Sequence, residues 1–168
     1  MQRSVLIFIK SDNLQDIEKI RQKHDPLYNL VPPHITLVFP FESEISNEQL
    51  KQHIIENIKG IDAFNIHADN VVTNHGEYLF LQIKEGKEKI ITLHDRLYQG
   101  RLQPFLREDI PYVPHITVGR KNNELDALEV AKSIPPLKTK SLFMIHKITV
   151  ESIGMNNESI IEFELLLL

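Results

Sequence analysis

Two copies of one tetrapeptide carry the residues of this chain that are best suited to chemistry. Pro-His-Ile-Thr occurs at Pro33–Thr36 and again at Pro114–Thr117. An imidazole with its ordinary pKa near 6.5 can accept or donate a proton at neutral pH. A threonine hydroxyl can donate a hydrogen bond to an oxygen on which negative charge develops. Because packing alone does not require His and Thr at matched places, we predict that both tetrapeptides contribute to one site.

The spacing of these residues predicts how they are presented. Side chains alternate along a strand, so His34 and Thr36 would share one face of a strand, and His115 and Thr117 one face of another. If two halves of the chain are related by a pseudo-twofold axis, the two pairs meet across a cleft. A neutral histidine could then take a proton from an attacking oxygen while a protonated one gives a proton to the departing oxygen. This predicts displacement at phosphorus without a metal, and leaves open which histidine is the base.

The remaining pattern predicts the elements that must position these residues. Apolar periodicity indicates two similar β-α-β-α-β halves, without a linker-like segment between them. The predicted strands are 3–10, 34–40, 64–73, 77–84, one from 115, 142–153 and 159–167, with helices at 13–24, 47–59, 87–98 and 123–134 and turns at 74–76 and 156–157. We therefore expect one α+β domain over 1–168, with antiparallel sheets flanking a central cleft. Its lobes are predicted as about 1–76 and 77–168, with allowance for strand exchange between them.

The same periodicity assigns buried faces. In the first motif strand, Ile35, Leu37 and Phe39 are predicted to point away from the two functional side chains, and Ile116 and Val118 do so in the second. The helix at 123–134 is predicted to turn four residues inward, namely Leu125, Leu128, Ala131 and Ile134.

Composition limits the classes of function. The chain has 168 residues, of which 42% are hydrophobic and 25% charged, as in ordinary globular domains. It has no cysteine, which excludes disulfides, thiolate zinc sites and a cysteine nucleophile, and fits the cytoplasm, where we expect the protein. The apolar stretches at 5–9 and 163–168 are too short to serve as a signal peptide or to span a membrane.

Charge constrains the partner. A net charge of −4 and a pI near 6.1 argue against tracking a long phosphate backbone. A nucleotide or an RNA 3′ end needs only a few local cations. The candidates are Arg3, Lys10, Arg101, Arg107, Arg120 and Lys121. We expect no cofactor, no membrane partner and no obligate protein partner, and thus a monomer.

The paired motifs carry a family resemblance. The segments HITL at His34 and HITV at His115 resemble the two H-x-T-x motifs of the two-histidine (2H) phosphoesterase superfamily. Its 2′-5′ RNA ligase-like branch includes RNA 2′,3′-cyclic phosphodiesterases. The resemblance implies a bilobal fold with a central cleft, metal-independent catalysis, and a site made of His34, Thr36, His115 and Thr117. Arg120 resembles a basic position that follows the second motif in RNA-acting members, although strict alternation would point it away from His115 unless the strand ends by Gly119.

Other functions remain open or are set aside. A module that binds a nucleotide or an RNA end without turnover, or a 2′-5′ RNA ligase, could use the same residues. The pair His94-Asp95 lies in the middle of a predicted helix without further ligands, so we interpret it as a solvated or helix-packing pair and not as a metal site. An aromatic at the rim of the cleft, among Phe39, Phe41, Tyr78 and Phe80, could stack on a base.

Overall fold

The elements follow the predicted order along the chain. The computed structural model describes residues 2–11, 14–73, 76–137 and 141–168. The strands are β1 (Gln2–Phe8), β2 (His34–Glu42), β3 (Phe64–Val72), β4 (Tyr78–Glu85), β5 (His115–Arg120), β6 (Ser141–Ile145), β7 (Lys147–Ile153) and β8 (Ser159–Leu166). The helices are α1 (Gln15–His24), α2 (Asn47–Ile58), α3 (Lys87–Leu97) and α4 (Glu124–Ser133), with a 3-10 turn at Gly100–Phe105. Asn74 and His75 of the predicted turn lie outside the described residues.

The strands form two four-stranded antiparallel sheets, as predicted for an α+β bilobal fold. One sheet has the order β2-β1-β7-β8 and is called the β2 sheet; the other has the order β5-β4-β3-β6 and is called the β5 sheet. The two strands that begin with the repeated motifs, β2 and β5, are edge strands, and they pack against each other. The motif histidines therefore open the two strands that line the junction between the sheets.

Each sheet combines strands from both predicted halves of the chain. The sheets are not divided at residue 76, because β3 lies in the β5 sheet while β7 and β8 return to the β2 sheet. The single strand expected over 142–153 is two strands that separate at His146. Strand β6 pairs with β3, and β7 pairs with β1 in the other sheet. Periodicity identifies extended segments but not the strands with which they pair. The sequence could therefore suggest an exchange of strands between the lobes but could not identify which strands are exchanged.

Two matching irregularities interrupt the motif strands. In β2, Thr36 pairs with Leu6 but Val38 pairs with Val5, so Leu37 is an extra residue in the ladder. In β5, Thr117 pairs with Phe80 but Gly119 pairs with Leu79, so Val118 is extra. Each motif thus carries a β-bulge immediately after its threonine. A bulge shifts the alternation of all later side chains by one residue.

Buried apolar side chains hold the helices on the sheets. Ile35, Leu37, Ile116 and Val118 are buried as predicted. The prediction for Phe39 is wrong, because Val38 continues the buried face after the bulge and Phe39 is only half-buried.

Helix α4 turns only part of the expected face inward. Ala131 is buried as predicted, and Ile134 packs partly buried against the core. The prediction is wrong for Leu125, which is 74% exposed, and for Leu128, and Ala127 is buried in their place. The small alanine side chains let the helix approach β3 and β4 closely, which bulkier leucines at the contact would prevent. Within the described residues, no helix combines the length and the apolar character needed to cross a bilayer.

Candidate active site

Both motif histidines are held in the same way. Nδ1 of His34 lies 2.8 Å from the carbonyl oxygen of Pro32, and Nδ1 of His115 lies 2.6 Å from that of Val113. Because a carbonyl oxygen can only accept, each Nδ1 must donate and carries the ring hydrogen. The neutral rings therefore keep the lone pair on Nε2. This backbone contact fixes the tautomer and the ring orientation that proton transfer requires.

Burial lowers the pKa of both imidazoles below its ordinary value. For His34 the cost of burying a charged ring is opposed by the Pro32 carbonyl and by the negative charge of Glu151. For His115 the same cost is opposed by the Val113 carbonyl, but positive charge on His34 lowers the pKa further. A proton on His34 therefore disfavours a proton on His115.

Aromatic rings support both imidazoles. The Phe80 and His115 ring centroids are 3.7 Å apart with an interplanar angle of 32°. Tyr78 stacks on Phe80 at 6.0 Å and 12°. The Phe8 ring meets His34 edge-on at 6.3 Å. Of the aromatics predicted as candidates for the rim, Tyr78 and Phe80 thus lie beside a motif histidine.

Side chains from the second half of the chain bind the bulge of the first motif. The Tyr112 hydroxyl donates to the Thr36 carbonyl oxygen at 2.8 Å, and His94 Nδ1 donates to the Leu37 carbonyl oxygen at 2.8 Å. The amide of Phe39 donates to the Tyr98 hydroxyl at 2.9 Å. We call Tyr112, His94 and Tyr98 the β2 latch. It fixes the backbone that carries Thr36.

The latch is itself a packed cluster. His94 and Tyr112 stack in parallel with ring centroids 3.6 Å apart, and Tyr98 meets His94 edge-on at 4.8 Å. Burial lowers the pKa of His94 and raises the pKa of Tyr112. His94 thus has a packing role, as interpreted from the sequence. The bond to Leu37 could not be predicted, because nothing local in the sequence shows a bulge.

Arg120 reaches the face of β5 that carries Thr117 by a route that the sequence did not reveal. Strand β5 does not end by Gly119 but runs through Arg120. The bulge at Val118 shifts the alternation, so Arg120 pairs with Tyr78 just as Thr117 pairs with Phe80. Its guanidinium lies 5.2 Å from the centre of the Tyr78 ring and forms an ion pair with Glu77, with Nε donating at 2.8 Å. The side chain is 52% exposed.

Lys121 was a candidate cation from the sequence, but its neighbour His24 was not recognised as part of the site. Helix α1 crosses to pack against β5, which places His24 beside Lys121. Lys121 Nζ donates to His24 Nδ1 at 2.8 Å. With Lys23 and Arg120 they line an open groove of about 620 Å³. These residues are far apart in the sequence, and only the helix crossing brings them together.

Two other candidate cations, Arg3 and Arg107, differ in how exposed their side chains are, and both already have hydrogen-bond partners within the chain. Arg3 is buried and donates to the carbonyl oxygen of Ile45 at 2.5 Å. Arg107 is exposed and forms a bidentate pair with Asp109. In the part of the chain that the structure describes, no group of three or more His, Cys, Asp or Glu side chains is placed to hold a metal ion.

Known sequences resemble this chain over most of its length. Residues 10–154 match the model of the 2′-5′ RNA ligase superfamily. A candidate phosphoesterase of Halalkalibacterium halodurans is 33% identical over 137 residues, which cover 79% of this chain and 76% of the relative. One of Bacillus cereus is 33% identical over 134 residues, covering 77% of this chain and 76% of the relative.

Solved structures share the fold. The Escherichia coli LigT complex with 3′-AMP superimposes with a TM-score of 0.70 at 20% identity, covering 99% of this chain and 97% of LigT. A Thermus thermophilus protein gives a TM-score of 0.71 at 16% identity, covering 99% of this chain and 98% of its own. LigT has also been crystallised with ATP and with NADP+.

Proposed function

Because the chain belongs to the 2′-5′ RNA ligase superfamily, we propose that it is a phosphoesterase that hydrolyses the 2′,3′-cyclic phosphate of an RNA 3′ end or of a nucleotide. The observation that carries this proposal is the pair of matched imidazoles. Each has Nδ1 bound to a backbone carbonyl and Nε2 left for chemistry. Each also opens an edge strand at the junction of the two sheets.

Two imidazoles suffice for the proton transfers of this reaction. Nε2 of the neutral ring takes a proton from water as the water oxygen bonds to phosphorus. Nε2–H of the protonated ring gives its proton to the ribose oxygen as the P–O bond breaks. The products are a phosphate monoester and a free ribose hydroxyl, and the proton has in effect moved from one ring to the other. No step requires a metal.

The threonines stabilise the charge that builds up during displacement. We propose that the hydroxyls of Thr36 and Thr117 donate to the two non-bridging phosphate oxygens. The residue after each threonine is buried, so strand alternation leaves the threonine hydroxyl on the opposite face. The adjacent basic groove, with Arg120 and Lys121, would bind a further phosphate of an RNA strand or of a nucleotide.

The test is a product assay with matched histidine variants. Purified protein is incubated with adenosine 2′,3′-cyclic monophosphate and with an RNA that ends in a cyclic phosphate. His34→Ala and His115→Ala should each lower kcat about a hundred- to ten-thousand-fold. The double variant should lose much less than the product of the two losses, because groups that act as a unit are not additive. The control is His146→Ala, which changes an exposed histidine on the short segment between β6 and β7.

The same assay separates the alternatives. Turnover that survives loss of either motif histidine would overturn the two-imidazole mechanism. Binding of these substrates without any turnover would instead assign the protein to non-catalytic binding modules. Adding an RNA with a 5′-hydroxyl tests ligation, since joined product with a 2′-5′ linkage would show that the same site runs in reverse.

A further inference from the structure

A cavity of about 180 Å³ lies beside the first motif, and His34 and Thr36 are among the residues that line it. Other parts of the lining have no role in the displacement chemistry. They include Ser4, Glu151 and Ser159, which lie on three adjacent strands of the β2 sheet and which we call the floor. A ligand held at the motif residues could therefore extend directly into this cavity.

The floor carries a buried carboxylate. Glu151 is only 5% exposed and accepts hydrogen bonds from the Ser4 hydroxyl at 2.7 Å and from the Ser159 hydroxyl. No ion pair to Glu151 occurs among the described residues. Two neutral donors leave unused lone pairs on both oxygens of the carboxylate. Burying a charge with so few partners is costly, so the carboxylate is well placed to accept hydrogen bonds from a ligand.

The walls favour a flat, neutral group. Leu27, Val31 and Pro40 supply apolar surface, while Glu158 adds a second carboxylate to the lining. Negative charge on both sides disfavours a phosphate there, and apolar walls suit a ring that stacks in van der Waals contact. The volume is sufficient for a nucleobase.

Residues 27–31, which we call the covering segment, contribute Leu27 and Val31 to the lining of the cavity and are held in place by hydrogen bonds. Arg21 is fully buried in α1 and donates to the Val31 carbonyl oxygen at 2.6 Å and to Asp25 at 2.8 Å. The amide of Ser159 donates to the Leu30 carbonyl oxygen at 3.0 Å. These bonds tie the covering segment both to α1 and to β8. The cavity is therefore a preformed site and not a gap beneath a loose loop.

We infer that this cavity binds the base of the substrate and that Glu151 selects bases with an amino group on the edge that enters. The inference rests on the proposed function for the identity of the substrate. Cytosine and adenine present an amino group where uracil and hypoxanthine present a carbonyl oxygen. A carboxylate accepts from the amino group but repels the carbonyl oxygen. We therefore expect cytidine and adenosine 2′,3′-cyclic phosphates to be preferred over the uridine and inosine compounds.

The experiment uses ratios between substrates that differ only in this group. We expect the wild-type kcat/KM for the cytidine compound to exceed that for the uridine compound by about ten- to a hundredfold, and likewise for adenosine over inosine. Glu151→Gln keeps the shape but can donate to the uracil carbonyl, so the ratio should fall to within about threefold of unity or invert. Any effect of Glu151 on His34 changes all substrates alike and cancels in the ratio.

The control is Glu164→Gln on β8. This removes the same charge from a carboxylate that binds Lys147 and does not line the cavity, so the ratio should stay at the wild-type value. Wild-type ratios near one, or a ratio that Glu151→Gln leaves unchanged, would overturn the inference. The wild-type ratios are measured without any variant, so the inference can be tested even if Glu151→Gln fails to fold.

Binding separates this inference from the proposed function. Calorimetric titration with 3′-CMP and 3′-UMP reports base selection without turnover. Selective binding by a protein that hydrolyses none of the cyclic phosphates would overturn the proposed function and support the base site. Equal hydrolysis of all four compounds would do the opposite.

Discussion

Replacing Tyr112 with Phe removes one oxygen atom from the β2 latch and leaves the rest of it in place. The ring still stacks on His94, since the 3.6 Å contact involves no hydroxyl. The Thr36 carbonyl oxygen loses its 2.8 Å partner. The change therefore tests whether the backbone of the first motif must be held from the other half of the chain.

The size of the effect follows from the burial of that bond. A buried carbonyl left without a donor costs about 1–3 kcal/mol, and Thr36 is only half-buried, so water can partly replace the hydroxyl. We expect a loss of about 1 kcal/mol in the free energy of unfolding, or roughly 2–4 °C in Tm for a chain of this size. Because a small displacement of a substrate-positioning group can lower rates by about a hundredfold, kcat should fall about ten- to a hundredfold with little change in KM.

Thermal unfolding and steady-state kinetics on a 2′,3′-cyclic substrate measure both quantities. The control is Ser133→Ala, which removes a hydroxyl that donates to a backbone carbonyl at 2.7 Å on the exposed end of α4. It should change neither kcat nor, by more than a degree or two, Tm. A Tyr112→Phe variant that loses stability but keeps the wild-type kcat would refute the positioning role and leave the latch a purely structural contact.

Three further outcomes are expected. Because burial lowers the pKa of both His34 and His115, both limbs of the kcat/KM profile should lie below the ordinary value of about 6.5, so that activity peaks on the acidic side; a maximum at or above pH 7 would contradict this. Hydrolysis should survive exhaustive chelation, and loss with EDTA that one divalent metal restores would rule out the two-imidazole scheme. Arg120→Gln should raise KM about tenfold and leave kcat unchanged, with a larger effect for an RNA than for a mononucleotide. Arg107→Gln, the exposed matched control, should leave KM unchanged. A lower kcat without a change in KM in Arg120→Gln would contradict this prediction.

Local pattern predicted most elements because each depends on residues close in sequence. The buried faces of α2 and α3 follow the 3.6-residue period, and the motif strands begin where their histidines suggested. The bulges at Leu37 and Val118 depend instead on which residues pair across the sheet, and no property of the single strand encodes that. This is why the sequence placed Phe39 on the wrong face. It is also why the sequence required β5 to end by Gly119 before Arg120 could share a face with Thr117, whereas the bulge at Val118 produces that orientation.

The motif residues could be proposed as a site from the sequence, whereas the residues around them could not. A repeated tetrapeptide is visible in sequence, whereas Glu151 lies in β7 and becomes a neighbour of the first motif only through the exchange of strands between lobes. Lys121 and His24 meet because α1 crosses to β5. Such contacts arise from topology, which hydrophobic periodicity does not specify.

The β2 latch also covers a strand edge that could otherwise pair with another molecule. A cleft between two sheets requires two strands that stop short of pairing, and an unpaired edge is a template for a strand from another molecule. Here the polar backbone groups along the outer side of β2 are occupied by Tyr112, His94 and Tyr98. An intruding strand would have to displace three side chains before it could form its first bonds to these groups. The contacts that hold the motif in place thus also protect the edge against intermolecular β-pairing, so disruption of the cluster should favour aggregation as well as loss of activity.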